Sequence, residues 1–189
     1  MRKRIACLCS MLICFNAASA LAGEVYTGAS GFTIALPAGW IALIGGDEED
    51  GAFMEDLEPG DEEAMFCSGD GAVSVTVYCA DETPVEADAV AALFSEPSLE
   101  ARVAGVNGYQ KIFYRYDEPN RRAFISYSLM DSEDRIVHTE YLVGFVTGSQ
   151  IAQYLIISVP QDQHDARFEL ISEIVNSIDV GGVREGAEG

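Results

Sequence analysis

The residues best able to do chemistry are crowded into one stretch, GGDEEDGAFMEDLEPGDEEAMF at positions 45–66, where ten carboxylates fall between Asp47 and Glu63 with no Lys or Arg among them. Oxygen-rich loops of this kind suit hard cations, which take six to eight oxygens, and Asp47, Glu49 and Asp50 are the candidate ligands for calcium. An EF-hand frame centred on Gly51 puts Gly46 at the first position and Leu57 at the last, so that pattern does not fit. A docking surface and a solvated, self-repelling loop are the other two readings, and composition favours the loop. Millimolar calcium should therefore raise the melting temperature no more than magnesium does at equal ionic strength. A saturable, calcium-selective rise, removed by Asp47→Asn, Glu49→Gln and Asp50→Asn together, would instead make this stretch a metal site.

Other reactive groups are sparse. His138 and Glu140 project to one side of an expected strand, and His164 adjoins Asp165 in a helical first turn, but no spacing groups the two histidines for zinc. No G-x-S-x-G, H-E-x-x-H or C-x-x-C motif is present. The expectation is a protein that is not an enzyme and carries no cofactor, calcium aside. Arg115, Arg121 and Arg122 surround the turn YDEPNRR. They either pair with Asp117 and Glu118 or present guanidinium forks to an anion or a partner.

The N-terminus reads as a secretory leader. Arg2, Lys3 and Arg4 precede an apolar run from Ile5 to Phe15, and Ala20 and Ala22 frame a cleavage site after residue 22. The run is shorter than the ~20 residues of a membrane span, and Gly23 rather than a Cys stands directly after the cut, which argues against lipid attachment. Residues 1–22 are thus a signal peptide, and the product is periplasmic or extracellular, without stable membrane insertion. Three of the 11 Lys and Arg precede the cut, leaving 8 against 31 Asp and Glu, a net charge of −23. That field repels nucleic acid and anionic lipid, so neither is an expected partner.

Cys67 and Cys79 remain in a compartment that permits a disulfide. If Gly69-Asp70-Gly71 turns a hairpin, however, Cys79 lies about six residues, or ~20 Å, beyond Cys67, against a limit of ~7 Å between bridged Cα atoms. An irregular loop at 67–72 would allow the bridge.

These residues need a scaffold, and the pattern supplies one. Period-2 alternation places Phe32, Ile34 and Leu36 on one face, and Val73, Val75, Val77 and Cys79 on another. Pro37 and Gly39 suit the second and fourth places of a turn ahead of Trp40, which packs back on the strand. Thr83, Pro84 and Glu86 open a helix striped by Val85, Ala89, Ala92, Leu93 and Phe94, which Pro97 ends. Asn107-Gly108 is expected to join ARVAGV and YQKIFYRY as a hairpin. FISYSLM, IVHTEYLVGFV and IAQYLIISV continue as an antiparallel meander. Asp162 caps a last helix whose stripe is Phe168, Ile171, Val175 and Ile178. The fold class is α+β, with one domain at 23–180, an acidic insertion at 45–63 and a flexible tail at 181–189.

The corner from Leu36 to Trp40, the V-x-G-Y run from Val106 to Tyr109, and the terminal NSIDV resemble the PsbP-like domain, also called the MOG/PsbP fold, over roughly residues 24–180. The resemblance implies an antiparallel sheet between helices, an α/β/α sandwich. Family members include extrinsic photosystem II subunits, a nuclear import factor that binds a small GTPase, and bacterial envelope proteins. They share binding and assembly rather than a reaction. It implies a non-enzymatic binding or assembly protein of the envelope, partnered by another envelope protein. A calcium- or small-ligand-binding module using the acidic insertion is the alternative.

Overall fold

The computed structural model describes residues 19–21, 23, 25–43, 58–106 and 108–181. The candidate ligands Asp47, Glu49 and Asp50, most of the leader and most of the tail lie outside them. One antiparallel sheet runs β1(Ser19–Leu21), β4(Trp40–Leu43), β5(Glu62–Cys67), β6(Ser74–Tyr78), β10(Ala152–Pro160), β9(Ile136–Val146), β8(Arg122–Met130), β7(Gln110–Asp117), in that spatial order. A small hairpin, β2(Val25–Thr27) with β3(Thr33–Ala35), stands apart from it. The short connections predict the meander, and β7 to β10 do follow one another across the sheet. Strand β1 falls inside the predicted leader, so cleavage after Ala22 would leave β4 at that edge.

Both faces of the sheet are covered, which makes the sandwich. On one face, the hairpin and α3(His164–Asn176) bury Phe32, Ile34, Leu36 and Trp40 against Val73, Val75 and Val77, with Ile171, Ile174 and Ile178 from the helix and its exit. On the other, α1(Val90–Leu93), its flanking Phe94 and α2(Glu96–Val103) bury Val90, Phe94, Leu99 and Val103 against Ile125, Tyr127, Leu142 and Val146. Among the described residues no helix is long and apolar enough to cross a membrane.

Several local expectations are corrected. The turn before Trp40 starts one residue later than expected: Trp40 N–H donates to the Pro37 carbonyl, and Gly39 takes φ +84° at the third position, as in a type II turn. No helix starts at Thr83–Pro84, because Val85 N–H donates to the Gln150 carbonyl and Thr83 N–H to Asp81. Pro97 opens α2 instead of ending a helix, since its missing N–H costs nothing in a first turn. Leu99 and Val103, four apart, share the buried side of α2, so Ala101–Val103 are helical and Gly108 joins helix to strand. Asp162 lies in a 3₁₀ turn, Gln161–Gln163, and does not cap α3. Phe168 is 54% exposed, as the buried stripe is Ile171, Ile174 and Ile178. Cys79 sits beyond the end of β6, half-buried rather than in the core.

Of the two arrangements left open for Cys67 and Cys79, the hairpin is the one formed, and no disulfide joins them. Cys67 opposes Ser74 at the turn end of the β5–β6 hairpin, while Cys79 lies past Tyr78 at the other end. About five residues of strand, roughly 17 Å, separate them, too far for a bridge. The turn itself is built by Asp70, whose Oδ1 accepts Ser68 Oγ–H and Ala72 N–H. Those bonds, led by Ser68, hold its carboxyl below the usual range, and Arg167 of α3 adds an ion pair.

Candidate functional site

Two turns and the chain exit from α3 meet at one corner. The β7–β8 turn closes through Arg121 N–H on the Glu118 carbonyl (3.0 Å), with Arg121 at φ +48°. Register places Arg122 opposite Phe145, which brings this turn beside the β9–β10 turn at Thr147–Gln150. Arg121 reaches across to Gln150 Oε1 (2.9 Å). Arg122 turns the other way, donating Nη1 to Val175 O (3.3 Å) and Nη2 to Ile178 O. Carbonyls at a helix C-terminus carry partial negative charge and lack partners within the helix. Arg122 therefore acts as a lock on the end of α3. Burial lowers its pKa, opposed by the charges of Asp117 and Asp179.

A cleft of about 180 Å³ opens here, lined by both arginines with Pro119, Thr147, Gly148 and Val180 among others. Arg115 is not part of it. It lies exposed on β7 opposite Phe124, on the same sheet face as Arg122 but two residues further along. The structure thus brings together two of the three predicted arginines. Neither makes an ion pair with Asp117 or Glu118; Asp117 accepts Asn120 Nδ2–H instead (2.8 Å).

Strand β7 is the second feature. It pairs with β8 and, among the described residues, with nothing on its other side. A bulge between Lys111 and Phe113 breaks its register, and here Ile112 is 55% and Phe113 44% exposed. Phe113 faces the α3 side, in line with Ser126 and then Tyr141. Tyr141 stacks on His164 and is hydrogen-bonded to its Nε2, while Phe168 follows 6.2 Å beyond His164. Lys111, on the opposite face, is held by Glu96 (2.5 Å) and Glu100 (2.7 Å) of α2. Sequence reading took β7 as an ordinary strand. The signal it missed is the adjacent pair Ile112-Phe113, which breaks alternation as a bulge does.

The remaining candidates have structural roles. Glu140 accepts Tyr127 O–H (2.7 Å). His138 opposes Leu129 on the α2 side, whereas His164 packs on Tyr141 on the α3 side, so the sheet separates the histidines. Among the described residues no group of acids, histidines and cysteines is placed to hold a metal. At the described end of the acidic stretch, Glu63 is the extra residue of a bulge in β5 and is only 6% exposed. Its Oε1 accepts Tyr26 O–H (2.5 Å) and Ala29 N–H (2.8 Å), tying the β2–β3 hairpin to the sheet.

That tie sets an alkaline limit. Burial first, and then the Glu63 carboxylate, push the Tyr26 phenol well above its ordinary range. The fold keeps Tyr26 neutral, while the unfolded chain ionises near pH ~10. The resulting stability is intact below that pH and is lost as pH rises towards the folded value. Tyr109, Tyr114, Tyr141 and Tyr154 are raised too, each mainly by burial. Melting temperature should therefore fall steeply above pH ~10, and Tyr26→Phe should make the fall shallower without abolishing it.

No family model matches the sequence, and no curated protein matches it. Solved structures do. The solution structure of cyanobacterial PsbP (CyanoP) from Synechocystis covers 88% of this chain and 99% of its own, at 14% identity and a TM-score of 0.53. The crystal structure of the Saccharomyces cerevisiae Ran-binding protein Mog1p covers 88% and 97%, at 10% identity and a TM-score of 0.41. The chain has a PsbP-like α+β fold.

Proposed function

We propose that this chain is an exported, non-enzymatic binding protein of the cell envelope, which holds another envelope protein by adding an extended segment of it to β7. The observation that carries the reading is the edge itself, where Ile112 and Phe113 stand exposed beside Arg115. Exposed edges offer unsatisfied N–H and C=O groups, and proteins blunt them with charge or bulges. This one has a bulge yet leaves two large apolar side chains in water. An added strand gains main-chain hydrogen bonds for affinity and side-chain contacts for specificity. Lys111 is occupied by α2, so Arg115 is the cation left for the newcomer, and an acidic residue in the segment meets it. Export is carried by Arg2–Arg4, the apolar run and the Ala20-x-Ala22 site. N-terminal sequencing of the secreted protein tests that half, with Gly23 expected first.

The binding half is tested by passing envelope extract over the tagged chain, over an Ile112→Lys/Phe113→Asp variant, and over Val25→Lys as a surface control. A protein retained by the wild type and the control but lost from the edge variant supports the reading. Equal retention by all three overturns it, once circular dichroism shows that the edge variant is folded.

A further inference from the structure

The cleft between the β7–β8 and β9–β10 turns holds an anomaly of charge. In a chain with 31 Asp and Glu against 11 Lys and Arg, Arg102, which lies over the Tyr154 ring, and Arg115, exposed on β7, lack a carboxylate partner among the described residues, but the cleft sets two such cations side by side. Arg135 is paired with Asp131 and Glu133, Arg167 with Asp70, and Lys111 with Glu96 and Glu100. Arg121 and Arg122 are adjacent, line the same cleft, and have no carboxylate within ion-pair distance among the described residues. Arg122 is held by two carbonyls, and its buried Nε–H has no acceptor. Arg121 is held by the neutral amide of Gln150 alone, a contact that is easily exchanged.

From this we infer that the cleft is a binding site for a small oxyanion, a carboxylate or a phosphate, with Arg121 as the fork that engages it. A guanidinium presents parallel N–H donors at the spacing of two such oxygens, and charge-assisted bonds of this kind are the stronger ones. Arg122 lines the cleft beside Arg121 and adds positive charge, while its own guanidinium is held by the α3 carbonyls. Thr147 lines the wall, and its hydroxyl oxygen accepts the Ile151 N–H. Asp117 and Asp179 act on Arg122 electrostatically without pairing with it. The volume of about 180 Å³ admits a small group or the end of a larger one. This site does not depend on β7, and either proposal can fail without the other.

The test is titration of the isotope-labelled full chain with sodium phosphate and, separately, with sodium acetate, each against sodium chloride at equal ionic strength. Amide shifts of Thr147, Gly148 and Arg121 are the readout. The expected result is a saturable shift with at least one oxyanion, weakened about tenfold or more in Arg121→Gln and unchanged in Arg135→Gln, whose guanidinium is paired with Asp131 and Glu133. Phosphate saturating first identifies a phosphate site, and acetate first a carboxylate site. Shifts that match chloride, or that survive Arg121→Gln, overturn the inference. Arg121 is used because Arg122 also locks α3, so its loss would confound binding with folding.

Discussion

Trp40→Ala is expected to lower the free energy of unfolding by about 3–5 kcal/mol. The indole is 3% exposed and lies in the larger core with Phe32, Phe66 and Phe145. Its backbone is fixed from several sides. The N–H closes the Pro37 turn (3.4 Å), and the next residue, Ile41, pairs with Cys67 of β5. A backbone so held cannot close over the lost ring, and the cost of a cavity grows with the volume that fails to collapse. Urea titration followed by circular dichroism measures the loss, and Trp40→Phe should recover part of it. The native protein should also show blue-shifted emission from this sole tryptophan. A loss within ~0.5 kcal/mol, as at ordinary surface sites, would contradict the packing.

Gly108→Ala carries the second large effect, at about 1–3 kcal/mol for the backbone conformation alone. Gly108 has φ +71°, and an added Cβ would meet Met130 N at 2.7 Å and Met130 O at 2.8 Å. Met130 ends β8, so its backbone cannot give way without disturbing the ladder to β9. Strain and collision then act together, and the measured cost should exceed the conformational figure. Gly105→Ala is the control, since nothing lies within 4 Å of its Cβ position. It should be close to neutral in the same thermal or urea series. Equal effects at the two glycines would mean that the turn at Gly108 is not formed as described.

The two glycines also mark what the sequence could and could not disclose. Alternation alone identified Phe32, Ile34 and Leu36, and Val73, Val75 and Val77, because a period of two fixes which face is buried. The meander was legible for the same reason, with short polar turns between long strands. The region 83–106 was misread because local signals there compete with distant ones. A capping sequence at Thr83–Glu86 loses to the carbonyl of Gln150, and Asn107-Gly108, a hairpin signal in isolation, follows a helix that tertiary burial of Leu99 and Val103 stabilises.

At the candidate site, the two adjacent arginines stood out in sequence against the acidic background. Their partners did not. Gln150 is 29 positions from Arg121, and the Val175 carbonyl 53 from Arg122. Only the register of β8 on β9 brings the former near, and only the path of α3 brings the latter. The role of Glu63 was hidden by its neighbours. In a run of ten carboxylates nothing distinguishes the one that a bulge turns inward.

The central claim is that β7 is the edge on which a partner is held. Its most direct measurement places a photo-crosslinking amino acid at Phe113 in the exported protein, and at Val25 as a control that is more open to solvent still. Irradiation in intact cells is expected to yield one discrete, partner-sized adduct from position 113 and none from position 25, with the adduct lost when Ile112→Lys blocks the edge. The same smear from both positions, or an adduct from position 25 alone, would contradict the account.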